Sequence, residues 1–152
     1  MRIPAQFLEP EFAREECGNS HKAMESAVPR FLGSIDLELL DQMFDGLTEV
    51  PFFVKDGALR YVAANPAMAR LCGVRRPAEM YGRRASDYFP PELVRRYEAF
   101  DRQVFATGRP ISNRLDLTVS AGARPVWLLF TRAPVRGERG KVVGVAASAR
   151  RF

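Results

Sequence analysis

Asn113 and Thr131 are the polar residues of this chain best placed to read a ligand. Over residues 111–119, Ile111, Leu115, Leu117 and Val119 alternate with Ser112, Arg114, Asp116 and Thr118. That period predicts a strand with one wet face. A second strand, Val126-Trp127-Leu128-Leu129-Phe130, is apolar on both faces. With Leu115, Leu117, Trp127 and Leu129 toward the helices, a two-residue period puts Asn113 and Thr131 on that same face. Apolar walls with a few converging polar groups describe a small-molecule pocket. The alternative is that both residues sit near strand ends and meet water or backbone. Tyr88 and Tyr97 would add hydroxyls to such a pocket, and Met68 and Phe100 apolar wall. A buried tyrosine, however, commonly finds a local partner.

Other chemistry is excluded by inventory. The single histidine, His21, precedes the patterned region, so no nucleophile–base pair forms there. No phosphate-cradling glycine loop occurs. Asp87 and Glu92 flank a helix start, where carboxylates usually cap. Two cysteines, Cys17 and Cys72, make neither a disulfide framework nor, with one histidine, a zinc site. Neither catalytic residues nor a metal site is expected.

The elements that position these residues read clearly from Ser34 onward. Ile35, Leu39, Leu40, Met43, Phe44 and Leu47 recur at helical spacing between acidic residues. They predict an amphipathic helix ended by Gly46. Two aromatic and β-branched runs flank Asp56-Gly57, a hairpin signal. Asn65-Pro66 then starts a two-turn helix over 66–72, with asparagine as cap, proline at the first position and Gly73 as the stop. Residues 74–90, broken by Pro77, Gly82 and Pro90, predict one or two short helical turns. Pro91 opens the longest helix, with Leu93, Tyr97, Phe100 and Val104 as its buried stripe and Gly108 as its end. Three strands follow, the last over Val142–Ala147. The class is α+β, with helices on one side of an antiparallel sheet. Because the later strands are apolar on both faces, the far face must also be covered, by helix 35–47 or by the same helix of a second subunit.

The 152 residues allow one domain with an extension. The divisions are an arm at 1–33, the helix at 34–48 and a folded domain at 49–152. Residues 1–50 hold four basic and ten acidic side chains (net −6), and 51–152 nineteen and eight (net +11). The basic residues are scattered singly or in pairs, as on a solvated surface, so a nucleic-acid groove is not indicated. A homodimer through helix 35–47 is expected, with Ile35, Leu39, Leu40, Met43, Phe44 and Leu47 as its interface; the alternative, which the charge split favours, is packing of the acidic helix on its own domain. No apolar run approaches the roughly 20 residues of a membrane span, and no signal-peptide core is present. A cytoplasmic protein is expected.

Several motifs in order resemble PAS domains. These are Pro51-Phe52-Phe53-Val54-Lys55-Asp56, Tyr61 through Asn65-Pro66-Ala67, and Gly82 and Asp87 ahead of Phe89-Pro90-Pro91-Glu92-Leu93. They continue with Thr107-Gly108-Arg109-Pro110, Trp127-Leu128, Ala133-Pro134-Val135 and Gly140-Lys141-Val142-Val143-Gly144-Val145. The resemblance covers about residues 44–150. It implies a five-stranded antiparallel sheet with helices around a small pocket, and a role in ligand sensing or dimerisation that is passed to an output domain. Where many PAS domains end in an Asp-Ile-Thr-like motif, Ser148-Ala149-Arg150-Arg151-Phe152 stands here. The pattern is most similar to PAS sensor domains at the N-terminus of bacterial AraC-type transcription regulators. That likeness implies DNA contact only through an output domain absent from this chain. The other readings are a sensor of a histidine kinase or cyclic-nucleotide signalling protein, or a ligand-free dimerisation module. No cofactor is expected. Cys72 lacks the neighbours of a flavin-binding motif, and the long helix lacks a haem-ligating histidine.

Overall fold

The computed structural model describes residues 42–120 and 124–152; the expectations for the 1–33 arm and for Ile35, Leu39 and Leu40 lie outside the described residues. A helical turn at 42–45 leads into strands β1 (Phe52–Asp56) and β2 (Tyr61–Ala64). Helix α1 (Pro66–Cys72) follows, then two 3-10 turns, Pro77–Met80 and Ala85–Asp87, then helix α2 (Pro91–Thr107). Strands β3 (Ile111–Ser120), β4 (Arg124–Arg136) and β5 (Val142–Arg151) complete one antiparallel sheet in the order β2-β1-β5-β4-β3. This is the expected α+β architecture. No helix among the described residues is long and apolar enough to cross a membrane.

The hairpin forms where Asp56-Gly57 predicted it, but the aspartate does more than the glycine. Asp56 Oδ1 accepts from the Ala58 and Arg60 amides, both at 2.9 Å, and the positive φ of 60° falls on Leu59. An Asx-type turn therefore shapes the loop.

Asn65 is the hinge pin of the N-terminal half. Its Oδ1 accepts from Met68 N–H at 3.0 Å, which caps α1, and from Phe52 N–H at 3.0 Å, which anchors β1. Its Nδ2 donates to the carbonyls of Val50 at 2.8 Å and of Leu47 and Phe44 at 3.2 Å. One buried amide thus ties helix start, strand start and the 44–50 segment together. Gly73, at φ 76°, ends α1 in the left-handed conformation.

The long helix buries Val94, Tyr97, Asp101 and Val104. The expected stripe is rotated: Leu93 and Phe100 are only half-buried, and a carboxylate takes the place of an aromatic. The core joins Met68, Val94 and Tyr97 of the helices to Phe53, Leu128 and Phe130 of the sheet. Each such side chain contributes about 1.5–3 kcal/mol on full burial. Gly144 is obligatory for close passage of β5 beside β1, since a Cβ there would sit 2.3 Å from the Lys55 carbonyl oxygen.

Candidate functional site

The sheet presents its helix-facing side with the opposite parity to that expected. Asp116 and Thr118 of β3 are buried, as are Leu128, Phe130 and Arg132 of β4. Register pairs Asp116 with Leu128, and Arg132 with Ala147, which itself faces Phe53. The face predicted to be wet is the inner one. Asp116 and Arg132 are not solvated there; each finds a charged partner on α2.

At the centre lies a three-residue charge cluster. Lys55 Nζ donates to Asp101 Oδ2 at 2.7 Å, and Arg132 Nε donates to Asp101 Oδ1 at 2.9 Å. All three side chains are 2% exposed or less. Two cations thus share one carboxylate. Lys55 also stands 5.0 Å from the ring centres of Phe53 and Tyr61, and Arg132 4.8 Å from that of Phe130, so aromatic faces carry part of the positive charge. Arg132 Nη1 is buried and has no hydrogen-bond partner among the described residues. A buried charged donor left unsatisfied costs about 1–3 kcal/mol or more. A second pair adjoins the cluster: Arg96 of α2 donates to the buried Asp116, whose Oδ2 also has no partner among the described residues. Burial pushes the Asp116 carboxyl above its ordinary value, against the pull of Arg96 and Arg132.

Lys55 and Arg132 border a cavity of about 20 Å³ between the sheet and the helices. That is room for about one water. The apolar wall is Phe53, Tyr61, Met68, Leu71, Phe89, Tyr97 and Phe130, and Thr118 joins the two cations at the polar end. Tyr97 donates to the Leu117 carbonyl at 3.0 Å and hydrogen-bonds Thr118, so its hydroxyl is already committed. Burial raises the Tyr61 phenol well above its usual range and pushes the half-buried Cys72 thiol at the end of α1 up to about 12.

Of the nine expected pocket residues, Met68 and Tyr97 line this cavity. Leu115, Trp127 and Leu129 do not; they point to the other face, where Leu115 is 38% and Trp127 52% exposed. Asn113 and Thr131 do come together, since the Asn113 amide donates to Thr131 Oγ1 at 3.2 Å, but on that outer face, beside Arg150. Asn113 sits at a register shift in β3 with φ 51°, which breaks the alternation used to place it. Phe100 flanks the cluster, its ring 5.3 Å from the Arg132 guanidinium, without bordering the cavity. Tyr88 packs edge-on to Tyr61 and bonds the Glu79 carbonyl in a separate open groove. Among the expected interface residues, Met43 and Leu47 are exposed, whereas Phe44 stacks on Phe52 of its own chain with ring centres 3.9 Å apart.

Lys55, Asp101 and Arg132 carry the site and were not singled out by sequence. A signal existed. Lys55 follows the inward Phe53 by two, Arg132 follows Leu128 and Phe130 by the same step, and Asp101 lies four beyond Tyr97. Opposite charges at inward positions of three elements mark a buried cluster.

A family model described as the PAS fold matches residues 47–151. The methanogenesis regulatory histidine kinase FilI of Methanothrix harundinacea (strain 6Ac) is 32% identical over 99 residues, covering 64% of this chain and 11% of that protein. Among solved structures, the Vibrio cholerae VqmA–ligand–DNA complex superposes with a TM-score of 0.68 at 25% identity, covering 78% of this chain and 52% of that one. The Vibrio cholerae VqmA dimer without target DNA, described as bearing on LuxR-type receptors, gives 0.65 at 25% identity over 78% of this chain and 53% of that one. The chain thus spans about half the length of the VqmA chains and about a tenth of the kinase. By its strand order, its helices over one sheet face and the match across most of its length, this chain belongs to the PAS fold family and is a PAS sensor domain.

Proposed function

We propose that this chain is the sensing module of a transcription regulator, binding a small molecule in the cavity beneath α1 and passing the change to an attached DNA-binding domain. The observation that carries the ligand reading is Nη1 of the cavity-lining Arg132, a buried charged donor with no acceptor among the described residues. A side chain so placed stabilises a ligand more than it stabilises the fold. The likeness to VqmA, solved with ligand and DNA, supports the regulator role. The reading is of a binding module, with no catalytic part. Native mass spectrometry of protein purified without additives, followed by melting-temperature shifts across a metabolite panel, tests it. A retained mass or a ligand-dependent rise in Tm is expected. No retained mass and no shift across the panel would sink it.

The likeness to the kinase FilI favours a second reading, in which the same cavity feeds a histidine kinase. The full-length reading frame separates the two: a DNA-binding domain supports the first, a kinase domain the second.

The regulator is proposed to work as a homodimer through the outer sheet face. Trp127 and Leu115 are exposed there beside half-buried Leu117 and Leu129, a patch that a monomer seldom leaves open. Trp127 is the chain's one tryptophan and reports on the interface directly. Light scattering at tens of micromolar should give a dimer, Trp127→Glu a monomer, and dilution a red shift of Trp127 emission. A monomeric parent protein would refute the dimer and favour the acidic N-terminal segment as the cover.

A further inference from the structure

The charge cluster specifies the chemistry of the occupant. We infer that the cavity takes a planar monoanion, an aromatic or heteroaromatic carboxylate, with a carboxylate oxygen on Arg132 Nη1. This rests on the cavity being a ligand site, as proposed above.

The first support is charge. Among the described residues Lys55 and Arg132 face Asp101 alone, and adding the neighbouring Arg96–Asp116 pair gives three cations to two anions. One positive charge is left over beneath the helices, and its carriers Lys55 and Arg132 are 2% exposed or less. A monoanion balances it; a neutral molecule does not. The second is donor geometry. Arg132 already donates through Nε to Asp101 Oδ1, while Nη1 is buried without an acceptor among the described residues. A guanidinium holding one carboxylate by Nε retains donors for a second. A water could accept from Nη1 but would leave the charge unbalanced. The third is shape. Phe53, Phe89, Phe130 and Tyr61 make the walls, and aromatic walls favour flat rings in stacked or edge-on contact. The space of about 20 Å³ admits a water and not a ring, so the occupant must displace Met68 and Leu71 of α1. Both belong to the short helix capped by Asn65, and methionine repacks readily. Binding and movement of α1 are therefore one event.

The test is calorimetric titration of the whole chain with benzoate, nicotinate and indole-3-carboxylate, each against its own amide. At least one acid should bind tenfold or more tighter than its amide. Arg132→Met should abolish that discrimination while leaving Lys55–Asp101 as a balanced pair. Leu71→Ala widens the cavity without touching charge; it should strengthen acid binding and preserve the acid-to-amide ratio, and it keeps the test open if Arg132→Met does not fold. Amides or neutral heteroaromatics binding as tightly as acids, or discrimination surviving in Arg132→Met, would overturn the inference and leave the ligand site standing. A crystal structure with only a water on Nη1 in the presence of millimolar acid would overturn it as well. No binding by any compound, together with a native mass equal to the bare chain, would remove both readings.

Discussion

Replacing Asp101 by Asn should unfold this domain far more readily than replacing Arg132 by Met, although the two residues are partners. Asp101 accepts from Lys55 at 2.7 Å and from Arg132 at 2.9 Å, with all three side chains out of water. Removing its charge leaves two buried cations uncompensated. Breaking one buried pair by deleting a partner costs about 3–5 kcal/mol, so about 4 kcal/mol is a conservative figure for Asp101→Asn. That is a large part of the 5–15 kcal/mol by which domains are stable. At about 4 °C per kcal/mol for a domain near 100 residues, Tm should fall by about 15 °C. Arg132→Met has the opposite balance. It loses the Nε hydrogen bond, worth about 1.5–3 kcal/mol, but relieves the unpaired Nη1, whose penalty is of similar size. Lys55–Asp101 remains one to one, and the methionine stem refills the volume among Phe100 and Phe130. The net change should lie within about 1 kcal/mol of zero. In the double variant, removing Arg132 takes away one of the two stranded cations, so part of the Asp101→Asn loss should return. Urea denaturation followed by circular dichroism, with a common m-value, measures all three. Equal losses in Asp101→Asn and Arg132→Met would show that Arg132 is an ordinary structural partner. The claim that the fold carries an unbalanced charge would then be wrong.

Two further outcomes follow from named contacts. Asn65→Ala removes a helix cap and strands the Phe52 and Met68 amides, so it should cost about 3 kcal/mol, well beyond the roughly 1 kcal/mol of a simple cap, in the same urea assay. Cys72, whose thiol is pushed up to about 12 from an ordinary 9.0, should react at pH 8 about a thousandfold more slowly than a free thiol, measured with a disulfide reagent on a Cys17→Ser background; labelling at the free-thiol rate would contradict the burial of α1's end.

Local chemistry determines most of the framework without tertiary contacts. Asn65-Pro66 and Gly73 bound α1 through capping and a left-handed stop that involve only neighbouring backbone. Pro91 and Gly108 do the same for α2, and Asp56 turns the first hairpin through its own side chain. These are short-range effects, and sequence carries them. The facing of the sheet was different. An alternating pattern such as Leu115-Asp116-Leu117-Thr118 separates two faces but does not say which one meets the helices. Hydrophobicity alone points the leucines inward. The structure turns them outward because Asp116 meets Arg96, and Arg132 meets Asp101, from elements 20 and 31 residues away in sequence. Paired charges can be buried where single ones cannot. The order of the chain therefore fixed the elements and the family. Tertiary structure alone decided that the pocket's polar end is Lys55, Thr118 and Arg132 with Asp101 holding the two cations, since compensation between buried charges exists only once α2, β1 and β4 are brought together.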